Sequence, residues 1–80
     1  MSMRRLTLDK LNENECGVIF MVNLNGRIRC RLLEMGFVPG CSITTVRRAP
    51  FGNPIQFEIK GYWICLREEI ARDIIVEVVR

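Results

Sequence analysis

Histidine is absent from the 80-residue sequence, which removes both the commonest metal ligand and the usual general base near neutral pH. There is no glycine-rich phosphate loop, and no Ser or Cys stands beside an obvious base. The residues therefore support neither an enzymatic role nor a bound cofactor. The four cysteines, Cys16, Cys30, Cys41 and Cys65, form no C-x-x-C pair. A site of four thiolates around zinc normally shows paired spacing, so the cysteines read instead as reduced, buried small hydrophobes. Long apolar runs are missing too: residues 18–22 and 74–76 fall far short of the ~20 that cross a bilayer. Residues 1–10 carry Arg4, Arg5 and Asp9 without the apolar stretch of a secretory signal, and a cytoplasmic location is expected.

What is present is an ordinary globular composition, 49% hydrophobic and 26% charged, well clear of disordered chains. No linker, repeat or low-complexity tract divides it, and residues 1–80 are expected to form one domain. The net charge is +3, with arginines grouped at Arg27, Arg29 and Arg31 and again at Arg47 and Arg48. Glu13, Glu15, Glu34, Glu68, Glu69 and Asp73 dilute that field, so most of these charges read as solvated surface.

Strand patterning is found at residues 17–22, 42–48 and, most cleanly, 55–60, where Ile55, Phe57 and Ile59 alternate with Gln56, Glu58 and Lys60. Gly61 turns the chain, Tyr62, Ile64 and Leu66 line one face of a returning strand, and Ile74, Val76 and Val78 form a last strand. Ile28, Leu32, Leu33 and Met35 recur near helical spacing, with Gly36 and Pro39 placed to end that helix. A helical turn is expected at residues 67–72, and a brief turn at residues 7–11 with Thr7 as a candidate cap. The whole reads as all-β with short helices: a small, partly open antiparallel barrel of about five strands, with the amphipathic helix after the first strand. A five-stranded OB-type barrel is the competing architecture.

Two segments hold more information than this patterning requires. In residues 32–40, Gly36 and Gly40 permit unusual backbone angles, Pro39 fixes one, and Phe37 is suited to pin the turn to the core. In residues 47–55, Arg47 and Arg48 lead into Ala49-Pro50-Phe51-Gly52-Asn53-Pro54-Ile55. The prolines stiffen this loop, so whatever Phe51 presents is presented with little entropy left to lose on binding. A rigid aromatic beside arginines has the composition of an interaction hot spot, against which stands Phe51 folding back as a core plug.

The ordered set L-L-x-x-G-x-x-P-G, R-R-A-P-F-G-x-P-I and Y-x-I-x-L-R resembles the ferrous iron transport protein A (FeoA) family over nearly the whole chain. The resemblance implies an SH3-like barrel acting as a bacterial cytosolic accessory of the membrane ferrous-iron transporter FeoB, whose cytosolic part is a GTPase domain. The same domain type resembles the C-terminal domain of DtxR-like repressors, but 80 residues leave no space for their DNA-binding half. At Asn53 many family members carry Asp, and at Ile70 many carry an acidic residue. Taken with the loop's composition, the resemblance puts Arg47, Arg48, Pro50, Phe51, Gly52, Asn53 and Pro54 in a partner contact, with Phe37 and Pro39 as a second patch.

Other readings compete with this one. An unpaired strand edge can add a strand from a partner or a second copy, and an exposed arginine can complete a partner's GTPase site. Nucleic acid would use Arg27, Arg29, Arg31, Arg47 and Arg48 on phosphates with Tyr62 or Trp63 stacked on a base; the modest charge disfavours it. Direct iron binding would draw on Glu68, Glu69 and Asp73, a grouping more often simply solvated.

Overall fold

The computed structural model describes residues 2–80. A single antiparallel sheet runs in the order β1-β6-β2-β3-β4-β5, with β1 at Met3–Thr7, β2 at Cys16–Val22, β3 at Ser42–Arg48, β4 at Ile55–Ile59, β5 at Tyr62–Leu66 and β6 at Ile74–Val79. A 3-10 turn at Leu8–Lys10 follows β1, α1 spans Gly26–Glu34, and α2 spans Glu68–Ala71.

The alternation read in the sequence is the alternation of burial: Ile55, Phe57 and Ile59 of β4 and Ile74, Val76 and Val78 of β6 are all buried, with more exposed residues between them. Lys60 (φ 51°) and Gly61 (φ 83°) both occupy the left-handed region, the mark of a type I′ turn, which sets Ile59 opposite Tyr62 and fixes the β4–β5 register. Irregularities between Ile19 and Met21 in β2 and between Thr45 and Arg47 in β3 add local bend and twist. The sheet thereby wraps a core that also takes in Leu8 and Leu11 from the first turn and Ala71 from α2. The barrel is not closed, because β1 pairs only with β6 and β5 only with β4.

The helix ends as its sequence directs. Phe37 N–H donates to Leu32 O (2.9 Å) and Gly36 N–H to Leu33 O (3.1 Å), the paired bonds of a Schellman cap. Gly36 sits at φ +105°, a conformation that favours glycine, and a Cβ there would come within 3.1 Å of the flexible Lys60 side chain. Phe37 and Leu32, brought together by the cap, are both fully buried.

Three expectations are corrected. The sheet has a strand more than expected: Met3–Thr7 pairs with β6 from Met3↔Val79 to Thr7↔Ile75, so α1 follows the second strand, not the first. Arg4 and Arg5 break the period-two pattern there, and this edge strand needs none because its side chains are mostly exposed. Thr7 makes no side-chain cap bond. The cysteines are not core residues: Cys16, Cys30 and Cys65 are exposed and Cys41 is half-buried. Cys16 and Cys65 stand at outward positions of β2 and β5, and strand parity overrides the modest hydrophobicity of a thiol.

Candidate functional site

The loop between β3 and β4 is braced at its base and open at its tip. Ala49 N–H donates to Pro54 O (3.1 Å), and Gly52 N–H donates to Ala49 O (2.7 Å), closing residues 49–54 on themselves. Asn53 Oδ1 accepts the Glu68 N–H at 2.7 Å and so ties the loop to the first turn of α2. Arg48 secures the other side. Its main-chain N–H donates to Glu13 Oε2 (2.9 Å), and its guanidinium donates to the carbonyl of Leu11 (3.3 Å) and to that of Asp9. With both ends held, Phe51 projects 99% exposed, and the reading of it as a core plug fails.

Beside this loop lies an open cavity of about 450 Å³ lined by Arg47, Arg48, Ala49, Pro50, Pro54, Gln56 and Cys65. Arg47 opposes Gln56, and Gln56 opposes Cys65, so the floor is a row of side chains across three neighbouring strands. No acidic residue lines it, and Arg47 makes no ion pair among the described residues. Chemically, the arrangement offers an unpaired cation lining the cavity and an exposed apolar ring on the braced loop beside it. Full burial of such an aromatic contributes about 1.5–3 kcal/mol.

The expected site residues divide. Arg47, Pro50, Phe51 and Pro54 face outward in or beside the cavity; Arg48 and Asn53 are spent largely on holding the loop. Phe37 is fully buried under the helix cap, so it is no contact residue, and of the second patch only Pro39 is exposed. Gln56 and Cys65, and the anchors Asp9, Leu11 and Glu13, went unrecognised. The β4–β5 alternation already implied that Gln56 faces Cys65, whereas nothing local linked Arg48 to residues 9–13.

The competing sites are less well assembled. Arg27, Arg29 and Arg31 are exposed on α1, but two-residue steps on a helix put Arg29 on the face opposite the others. Tyr62 donates its hydroxyl to Met35 O, which holds its ring against the end of α1; Trp63 is 67% exposed. Near α2, Glu69 is held below the usual carboxylate range, first by its own main-chain N–H and then by Arg67, whose Nε lies 3.6 Å away. Among the described residues no three Cys, Asp or Glu side chains stand close enough to share a metal ion. No helix is long and apolar enough to cross a membrane.

The FeoA domain family model matches residues 6–78, and the chain belongs to that family. It is 40% identical over 74 residues to an Fe(2+) transport protein A/Fe(2+) transporter FeoB fusion protein of Porphyromonas gingivalis, covering 92% of this chain and 9% of that protein. The solution structure of iron(II) transport protein A from Clostridium thermocellum superposes with a TM-score of 0.88 at 38% identity, over 92% of this chain and 46% of that one. FeoA of Stenotrophomonas maltophilia, solved with zinc and described as a prokaryotic SH3 domain protein, matches with a TM-score of 0.79 at 29% identity, over 89% of this chain and 88% of that one. The fold is accordingly SH3-like.

Proposed function

We propose that this FeoA-domain chain is a non-catalytic cytosolic accessory of ferrous iron uptake that docks on a FeoB-type transporter through its 47–54 loop. The observation that carries this reading is Phe51, fully exposed at the tip of a loop braced at both ends. An exposed aromatic on a mobile loop is commonplace, but on a braced loop its ordering entropy has been met in folding and its burial goes largely to affinity. Support comes also from the Porphyromonas relative, in which the two activities share one polypeptide.

Within this reading Phe51 enters an apolar recess of the transporter's cytosolic part, while Arg47 meets a carboxylate at its rim. The test is co-purification with detergent-solubilised, full-length FeoB in each nucleotide state. Wild-type protein is retained, Phe51→Ala loses at least about tenfold in affinity, and Arg47→Ala loses less and responds to salt. Retention unaffected by both substitutions would overturn the assignment of the loop, and failure of the wild type in every state would overturn the docking itself.

A further inference from the structure

The free edge formed by β5 differs from ordinary sheet edges in what it lacks. Exposed edges normally carry a charge, a proline or a bulge that discourages pairing with another chain. Tyr62-Trp63-Ile64-Cys65-Leu66 has none of these and pairs regularly with β4 along its whole length. The type I′ turn makes Ile59 and Tyr62 a hydrogen-bonded pair, and antiparallel alternation then directs the main-chain groups of Tyr62, Ile64 and Leu66 to β4. Those of Trp63 and Cys65 point away from the sheet, and neither has another main-chain partner among the described residues. Trp63 is 67% exposed beside them, and Ile64 is only half-buried.

We propose that this edge is a self-association site, at which two copies pair β5 to β5 antiparallel about a two-fold axis at Ile64. That register sets Trp63 against Cys65 of the second copy and the reverse, so that all the free N–H and C=O groups of both residues are satisfied. Ile64 then faces its own counterpart in the close, non-hydrogen-bonded position, where its uncovered surface is buried. Charge favours a second copy here. Lys60 stands in the turn before the strand and Glu68 and Glu69 follow it, with Arg67 engaged by Glu69. The two-fold axis therefore brings the basic end of each copy toward the acidic end of the other, and the strand itself brings no like charges together. The opposite edge suits the same arrangement less well. A β1–β1 pair centred on Arg4 or Arg5 sets arginine directly against arginine. A single strand pair buries little area, so the association is weak and reversible.

The inference does not rest on docking on a transporter, although Cys65 also borders the cavity beside the 47–54 loop, and it is tested without a transporter. Sedimentation velocity, in reductant so that Cys65 cannot cross-link, should show the average mass rising toward twice that of the chain with concentration. Residue-resolved hydrogen exchange should show the Trp63 and Cys65 amides slowing roughly tenfold once nine chains in ten are paired, while the Tyr62, Ile64 and Leu66 amides are protected throughout. Cys65→Pro removes an N–H that β4 does not use and should abolish self-association. A chain that stays monomeric up to its solubility limit would overturn the proposal. So would association that leaves the Trp63 and Cys65 amides fast, whether or not the proline variant folds.

Discussion

Phe37 and Phe51 are the same residue type, each in a turn with glycine and proline close by, yet one is fully buried and the other is 99% exposed. The difference lies in where the main-chain hydrogen bonds close. At the end of α1 the bond from Phe37 itself to Leu32 O folds the chain back over the helix and turns the ring onto the apolar face. In the β3–β4 loop the bonds are made by the Ala49 and Gly52 main-chain N–H groups and by the Asn53 side-chain oxygen, on either side of Phe51, and the ring is left at the apex. Phe37 takes part in closing its turn and lies inward, whereas Phe51 is enclosed by the closure and lies outward.

Substitutions test that contrast, and the largest effect is expected at the buried ring. Phe37→Ala should lower unfolding free energy by about 3–5 kcal/mol in denaturant titration, the usual cost of deleting a core aromatic. A loss under about 1 kcal/mol would mean the cap, not the ring, organises residues 32–40. Next comes Arg48→Ala, which removes the bonds to the Asp9 and Leu11 carbonyls from a partly solvated guanidinium. A cost near the lower end of about 1.5–3 kcal/mol is expected. If the loop alone is loosened, transporter affinity falls with it even though Arg48 need not touch the partner.

A pair in neither segment gives a smaller, pH-dependent reference. The Arg80 guanidinium and then the Asn12 N–H hold Glu15 down to about 2 from the usual 4.5. A depressed carboxylate stabilises the fold above its unfolded value and loses that contribution as pH falls through the folded one, so the window runs from about 4.5 to about 2. Glu15→Gln should therefore be less stable than wild type at neutral pH, with the two melting temperatures converging across that window. Smallest of all is Phe51→Ala, expected to change stability by no more than about 0.5 kcal/mol. A larger loss would show that the ring supports the fold after all and would remove the contrast with Phe37.

How much of this was readable from the chain can be judged at particular residues. The β4–β5 hairpin followed from the alternation at Ile55, Phe57 and Ile59 and from Gly61, and the helix end followed from Gly36 and Pro39. The loop at residues 47–54 was recognised as stiff, but composition did not reveal which of its residues face outward. Arg48 reads from the sequence as a contact residue, and its role as a brace is not legible there because its partners lie 37 and 39 residues away. The β1 strand has no readable period because Arg4 and Arg5 interrupt the alternation and its side chains are mostly exposed.

The residues alone settled whatever depends on neighbours in the chain: the strand period, the tight turn at Gly61, the left-handed residue that ends α1 and the prolines that stiffen the loop. Each is a local energy, decided by side-chain shape and by a few dihedral angles. Folding in three dimensions settled the pairing of Met3 with Val79, the outward placement of the cysteines, the separate fates of the two phenylalanines and the contrast between a charged edge and an uncharged one. These rest on contacts between residues far apart in the chain, whose energy exists only once the intervening loops have been closed, and local composition does not encode them.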